Sequence, residues 1–330
     1  MYDIMGRHPG CRSGHAEGTF CAGVFTPSAV ARELTEAAHM QGDPVRVTAR
    51  FSNVTGDPDK HDAARNARGL AVRFHLPEGA YTDLIALTLP CFANRRPEDF
   101  VEMNYSCFKY RSGKTRQRPL GTLHFVIRHL EAFKAMKASF GMKPVPSYAN
   151  CRYNSLNAFV WTNREAGVGC YVRYSWIPQE GERTIDKGSA KRRASDFLQQ
   201  DLEERLGRSP LRRPIRFSLV VQLASTDDKV KGRVEDSTNP WPTAPDRIVP
   251  AAPPGTRAPV SEDGMRERYL TVGELELTEL VEGPAVGDQA FGFGPLNLTG
   301  GIAPSDDAIL KFRPQVYELA ARDRVLGFPE

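Results

Sequence analysis

The sequence predicts an α+β fold in which an antiparallel β-barrel forms the core and helices pack around its outside. Many short segments rich in Val, Tyr, Phe and Trp have the composition of strands, and few helices separate them. Such strands, without a crossover helix between each pair, favour an antiparallel barrel. We find no internal repeat in the 330 residues, which suffice for one large core, and we expect a single domain over residues 1–330.

The predicted strands follow alternating or clustered apolar residues. In chain order they cover residues 45–54, 70–74, 83–89, 158–162, 169–176, 215–223 and 270–280. A turn, Gly56-Asp-Pro-Asp-Lys60, follows the first of them.

The predicted helices begin or end at capping residues, proline or glycine. They cover residues 27–39, 97–111, 122–140 and 189–206, and a last helix follows Ser305. Ser305 is expected to cap this helix, with Asp306 and Asp307 in its first turn. Residues 239–260 contain seven prolines and form a long irregular connection.

The composition excludes several classes of protein. A net charge of +4 is too mild to indicate nucleic-acid binding. There is no run of about 18 apolar residues that would span a membrane. The N-terminal MYDIMGRHPG has no apolar signal core, so we expect a cytoplasmic protein. None of the six cysteines forms a Cys-x-x-Cys pair, which disfavours a zinc site and suggests reduced thiols.

An arginine and a tyrosine four residues apart, Arg313 and Tyr317, stand near the C-terminus. Helical spacing of four places both side chains on one face of a helix. A guanidinium stabilises a neighbouring phenolate by charge and hydrogen bonding. The pair is therefore a candidate axial ligand set for a ferric haem, although an exposed Arg beside a core Tyr would show the same spacing. A cysteine thiolate is the alternative ligand, in a less supportive motif.

Several segments carry a resemblance to the haem catalase family, in the family's order. They are Arg12-Ser-Gly-His15-Ala-Glu-Gly18, Val47-Thr-Ala-Arg50-Phe51-Ser52-Asn53-Val54, Arg65-Asn-Ala-Arg68-Gly69-Leu-Ala-Val-Arg73-Phe74, Asp83-Leu84, Pro90-Cys91-Phe92 and Gly301-Ile302-Ala303-Pro304-Ser305-Asp306-Asp307 with Arg313 and Tyr317. The resemblance covers residues 8 to 327. It implies a catalase-like barrel whose cavity holds haem b, with Tyr317 on the iron.

The resemblance also implies which branch of the family is closest. Longer catalases have an N-terminal arm and a C-terminal helical domain, neither of which is evident in this sequence. The sequence therefore resembles the minimal catalases and catalase-related peroxidases, for which we expect no bound NADPH.

Further site residues come from the same resemblance. His15 matches the distal acid–base, and Ser52 matches the residue that orients its ring. A neutral imidazole can take a proton from one peroxide oxygen and return it to the other. Arg12 and Arg50 match residues that pair with the haem propionates. The remaining matches are apolar or aromatic positions around the haem: Val54, Phe92, Phe100 and Phe291.

Two positions depart from the family pattern. Catalases carry a distal asparagine where this sequence has Leu87, which offers peroxide no hydrogen bond. Loss of such a bond can cost about 100-fold in rate, which puts fast dismutation in doubt. The second departure is Pro314, which removes a backbone hydrogen bond next to Arg313 and can kink the helix.

Together these features predict a haem peroxidase that acts on hydrogen peroxide or organic hydroperoxides through a ferryl intermediate, with weak catalase activity. We expect a small organic co-substrate and a homo-oligomer, most simply a dimer. Leu87 keeps open an enzyme that rearranges hydroperoxides, as allene oxide synthases do, or one that tailors a biosynthetic substrate. A haem-binding protein without turnover is the alternative of another class.

Overall fold

Eight antiparallel strands close into a barrel in the computed structural model, which describes residues 4, 6, 8, 11–111, 114–207, 213–224, 236–239, 269–281 and 292–326. The described residues contain these eight strands and four others, numbered together in chain order: β1 (Gly18–Pro27), β2 (Val45–Asn53), β3 (Arg68–His75), β4 (Tyr81–Leu87), β5 (Phe108–Arg111), β6 (Lys114–Gln117), β7 (Tyr153–Asn154), β8 (Phe159–Asn163), β9 (Val168–Pro178), β10 (Ile215–Leu223), β11 (Tyr269–Leu280) and β12 (Ile302–Pro304). The barrel order is β10-β11-β1-β2-β3-β4-β7-β9, and a β9–β10 pairing closes the ring. β8 and β12 extend outward from β9, and β5 pairs with β6 as a separate hairpin.

The helices lie between and after these strands. They are α1 (Ala29–Leu34), α2 (Pro97–Cys107), α3 (Pro119–Arg128), α4 (Ala132–Gly141), α5 (Lys187–Lys191), α6 (Phe197–Leu206) and α7 (Ala308–Leu326), with 3₁₀ turns at Ala38–Met40, Pro77–Gly79 and Tyr148–Asn150. Among the helices of these described ranges, none is long and apolar enough to cross a bilayer.

The predicted antiparallel barrel is confirmed, whereas several predicted helix bounds are wrong. Residues 27–39 contain the end of β1, the short helix α1 and a 3₁₀ turn. Residues 122–140 and 189–206 each contain two helices, and residues 97–111 end in strand β5. No proline or glycine lies within residues 122–140 or 189–206, so the local sequence does not mark the breaks between these helices. In residues 27–39 and 97–111, pairing of one end with a neighbouring strand limits the helix.

The cap of α7 also differs from the prediction. The helix begins at Ala308, and the Asp307 side chain accepts the backbone N–H of Leu310 at 2.9 Å. Asp307, not Ser305, therefore caps the helix. Pro314 lies inside α7, which continues through it to Leu326.

Aromatic side chains fill the barrel. Phe51, Tyr153 and Phe217 come from β2, β7 and β10, and their ring centroids lie 5.9 to 6.2 Å apart. All three are fully buried. Side chains alternate along a strand, so Arg50 and Ser52, the neighbours of Phe51, face outward. These two candidate residues therefore lie on the outer face of the barrel wall, and the position of the haem itself stays a prediction.

A buried ion pair fastens a C-terminal segment to this outer wall. The Asp83 carboxylate on β4 accepts two hydrogen bonds from Arg73 on β3, both at 2.7 Å. It also accepts the Gly294 N–H at 2.9 Å and the Asn297 amide at 2.7 Å. Asp83 is 2% exposed, so its charge depends on these partners.

We expect Asp83→Ala to lower the free energy of unfolding by about 3–5 kcal/mol, because it removes the anion from a buried, hydrogen-bonded pair. Asp43→Ala, at an exposed position, should change it by less than about 0.5 kcal/mol. Urea unfolding followed by far-ultraviolet circular dichroism measures both. Equal midpoints for the two variants would show that the pair does not hold the segment.

Candidate active site

The main chain at His15 is held against the end of β2. The His15 N–H donates to the Val54 carbonyl at 3.2 Å, and the Ala16 N–H donates to Thr55 at 3.0 Å. The Arg50 guanidinium donates to the His15 carbonyl at 2.9 Å. These bonds hold His15 at φ 56°, a left-handed conformation that is costly for a residue with a Cβ. The imidazole position is thus set by main-chain contacts that the sequence motif alone does not show.

The His15 ring is oriented by Ser52. Its Nδ1 lies 2.8 Å from the Ser52 hydroxyl. A Cβ on Gly69 would lie 2.8 Å from His15 Cε1 and 3.0 Å from the Ser52 hydroxyl oxygen. Gly69 therefore leaves the space that the ring occupies, a role that sequence reasoning missed.

The charges near His15 are cationic. Burial, followed by the charges of Arg50, Arg12 and Arg313, lowers the pKa of His15 to about 3. The imidazole is neutral at neutral pH and can accept a proton. Since the unfolded chain binds this proton near pH 6.5, His15 burial reduces stability progressively as the pH falls from about 6.5 to about 3.

Leu87 shares the outer face with this pair. Ser52 on β2 stands opposite Gly69 on β3, and Gly69 stands opposite Leu87 on β4. Directly paired residues project to the same side of a sheet, so Leu87 flanks the row that carries the His15 ring. The structure thus brings His15, Ser52 and Leu87 to one surface.

The Arg313–Tyr317 pair forms the second half of the site. On α7 the Arg313 guanidinium donates to the Tyr317 phenol oxygen at 2.9 Å, so Pro314 does not separate them. A second Arg313 nitrogen donates to the buried Asn157 amide oxygen at 2.8 Å. The Phe92 ring centroid lies 5.7 Å from Arg313 Cζ. Asn157 is a positioning residue that the sequence did not reveal, because it precedes β8 and is far from α7 in the chain.

For the remaining candidate residues the structure gives fewer contacts with His15 or Tyr317, or none. Val54 is half-buried and holds the His15 main chain through its carbonyl. Phe100 is half-buried in α2, and its proximity to His15 stays a prediction. Phe291 lies outside the described residues.

The residues present fit a haem. Arg12, Arg50 and Arg313 place positive charge around His15, which favours a ligand with two carboxylates. A Cβ on Gly18 would collide with the Arg50 guanidinium, so the glycine makes room for this cation against the barrel. The phenol of Tyr317, with Arg313 donating to it, is an oxygen donor that suits ferric iron. Apolar and aromatic neighbours, Val54, Leu87 and Phe92, suit a porphyrin face.

A further group with metal-binding atoms lies on the helices. One ligand atom each of Asp99, His129 and Glu131 falls within 4.8 Å of the others. Arg96 pairs with Asp99 at 3.3 Å, and His129 contacts Glu102 at 3.2 Å and Glu131 at 3.5 Å. These contacts account for the group, and we assign no metal to it.

Comparison with known proteins agrees with the geometry. A family model described as Catalase matches residues 9–328. This chain belongs to the catalase family. Membership makes it an oxidoreductase that acts on peroxide, and it implies a bound haem.

Two relatives and one solved structure show how similar the chain is to known proteins in sequence and in fold. The chain is 31% identical to a catalase-related peroxidase of Mycolicibacterium paratuberculosis, over 97% of this chain and 90% of that protein. It is 29% identical to a catalase-related peroxidase of Synechococcus elongatus, over 98% of this chain and 86% of that protein. The structure of catalase A from Saccharomyces cerevisiae superposes with a TM-score of 0.77 at 21% identity, over 96% of this chain. The chain spans 61% of that catalase, so this likeness shows the barrel fold alone.

We expect Gly69→Ala to slow the reaction with peroxide about 100-fold while haem binding persists. The added methyl group would lie closer to the His15 ring than a van der Waals contact allows, so the ring must move out of its position. Gly169→Ala is the matched control, since a Cβ there meets nothing within 4 Å.

His15→Ala sets the lower limit of the rate in the same assay, which follows the Soret band after mixing with peroxide. A Gly69→Ala rate equal to that of Gly169→Ala would show that the ring does not need this space.

Proposed function

We propose that this chain is a haem b peroxidase in which Tyr317 is the axial ligand and His15 the distal acid–base. One observation carries the proposal: Arg313, which donates to the Tyr317 phenol, also lies close enough to the Ser52-bound imidazole of His15 for its charge to help lower the pKa of that imidazole. The names of the relatives from M. paratuberculosis and S. elongatus support peroxidase over dismutase chemistry.

In the proposed reaction, different residues of the chain would bind the haem and transfer the proton. Bound haem would supply the two electrons that cleave the peroxide O–O bond. Arg12 and Arg50 would hold its propionates by charge-assisted hydrogen bonds, and Tyr317 its iron. The Ser52 hydroxyl lies 2.8 Å from His15 Nδ1. In the proposed tautomer it would accept from Nδ1–H and leave Nε2 free to take the proton from one peroxide oxygen. The same nitrogen would return the proton to the departing oxygen, which leaves as water from hydrogen peroxide or as the alcohol from an organic hydroperoxide.

Leu87 sets the choice of peroxide. A leucine beside the His15 row gives shape and apolar contact, whereas a small polar peroxide is aligned best by hydrogen bonds. Dismutation of hydrogen peroxide is therefore weak, and an organic hydroperoxide, with a small organic reductant, is the favoured substrate. Family membership also supports a homo-oligomer, which we propose to be a dimer.

The same leucine favours a second candidate, an enzyme that rearranges a hydroperoxide without a reductant. Such an enzyme would consume an organic hydroperoxide and oxidise no dye. A haem carrier without turnover is disfavoured, because a carrier has no use for an imidazole held in a left-handed main-chain conformation.

We expect Tyr317→Phe to lose the ferric tyrosinate spectrum and most of the bound haem, because Phe offers the iron no oxygen ligand. The Soret and charge-transfer bands of protein purified with added haem report both. Tyr105→Phe, at an exposed position on α2, controls for the loss of a phenol elsewhere. An unchanged spectrum in Tyr317→Phe would assign the ligand to another residue.

We expect Leu87→Asn to raise oxygen release from hydrogen peroxide relative to organic hydroperoxide turnover, by up to about 100-fold. The physical reason is that an amide at this position can hydrogen-bond the peroxide. Leu87→Met keeps the wall apolar at similar volume and should leave the ratio unchanged.

Both activities are measured with an oxygen electrode and a dye at matched haem content. If the wild type already releases oxygen faster than it oxidises dye, Leu87 does not control the choice.

A further inference from the structure

One face of α3 is apolar and exposed. Leu120, Leu123 and Ile127 follow one another at spacings of three and four residues, which places them on one side of the helix, and Leu130 follows just beyond the helix end. Their exposed fractions are 84, 58, 64 and 74%. Phe125, on the opposite side of the helix, is fully buried. A helix that is apolar on both sides needs a second apolar surface to cover it.

Helix α4 also has an exposed apolar side. Phe133 and Phe140 are 56% and 44% exposed, and Lys137 projects from the same side of the helix at intermediate spacing. Backbone hydrogen bonds from Ala132 to His129 and from Phe133 to Leu130 form the short turn that joins the two helices. Scattered exposed apolar residues are ordinary, but a contiguous group marks a binding surface. We call this group the α3–α4 surface.

The α3–α4 surface lies in the most basic part of the chain. Residues 108–143 contain nine Lys or Arg and one acid, whereas the rest of the chain contains 35 Lys or Arg and 39 acids. The side chains that are exposed belong to Lys109, Arg116, Arg118, Arg128, Lys134, Lys137 and Lys143. The single acid, Glu131, lies against His129, and Glu102 of the preceding helix pairs with Arg128. Exposed apolar side chains and exposed cations therefore occur together in this one stretch of the chain.

We propose that the α3–α4 surface docks on an anionic lipid bilayer. Leu, Ile and Phe side chains enter the boundary between headgroups and acyl chains, and the exposed Lys and Arg of the same stretch meet acidic headgroups. A second copy of this chain fits less well, because a two-fold contact would press this positive surface against its own counterpart. The docking is peripheral and does not rest on the proposed reaction.

Sedimentation of haem-loaded protein with vesicles tests the proposal. One set of vesicles contains phosphatidylcholine alone, and the other contains phosphatidylcholine with phosphatidylglycerol, each at low and high salt. We expect binding to the anionic vesicles only, and weaker binding at high salt because the charges are screened.

Paired variants locate the contact. Arg116→Glu/Lys137→Glu should lower partitioning by about 25-fold or more, since each cation near an anionic surface contributes about fivefold. Leu123→Ser/Ile127→Ser should lower it about tenfold or more through lost apolar burial. The controls are Lys187→Glu/Lys191→Glu on α5 and Val24→Ser/Leu319→Ser, which change exposed residues elsewhere and should leave it unchanged. Haem content and circular dichroism verify the fold of each variant, and the charge variant tests the surface even if the serine variant unfolds.

Several outcomes would overturn the proposal. They are no binding to either vesicle, equal binding to both at every salt, and equal losses in surface and control variants. A wild-type dimer that becomes monomeric in Leu123→Ser/Ile127→Ser, without vesicle binding, would instead make this surface an interface between copies. Binding to polyglutamate without binding to vesicles would indicate an acidic protein partner.

Discussion

The alternation of side chains along β2 is the constraint on which the rest of the site depends. Phe51 points into a barrel that is filled by rings from β7 and β10, so its neighbours Arg50 and Ser52 must point out. The barrel closes through the pairing of β9 with β10, and buried aromatic rings occupy its interior. The candidate site residues of β2 are thereby confined to the outer wall of the barrel. The segment around His15 supplies the imidazole, and α7 supplies the Tyr317 phenol.

The two halves of the site are held by different means. His15 depends on main-chain bonds to Val54 and Arg50 and on the absence of a side chain at Gly69. Tyr317 depends on one helical turn and on Arg313, which Asn157 orients. The first arrangement places a residue with a Cβ in the left-handed region, which is costly, whereas Arg313 and Tyr317 lie within helix α7. In the proposed reaction a base must be held at one angle to a small substrate, whereas a metal ligand is drawn into place by the metal itself.

Charge is distributed unevenly over the molecule, and the two basic regions have different chemistry. Around His15 the cations are grouped about a neutral base and suit the carboxylates of a cofactor. On α3 and α4 both cations and apolar side chains are exposed. The first region belongs to the candidate site, while the second supplies none of the candidate site residues. This separation is why the basic composition of residues 108–143 supports a surface contact and not a second active site.

The sequence by itself determined the fold class, the family and most of the candidate residues. Strand periodicity marked β2, β3 and β10, and local motifs marked His15 and the Arg313–Tyr317 pair, because both signals depend on residues close together in the chain. Strand β1 was not predicted, because Gly23 interrupts its pattern of alternating apolar residues. The structure explains this glycine: a side chain at residue 23 would collide with the Glu276 carbonyl, at an irregularity in the register between β1 and β11. Only the tertiary structure decided the outer-wall position of the site, the role of Gly69 and the contact of Asn157 with Arg313. Those features arise from close approach between distant segments, which neither propensity nor spacing encodes.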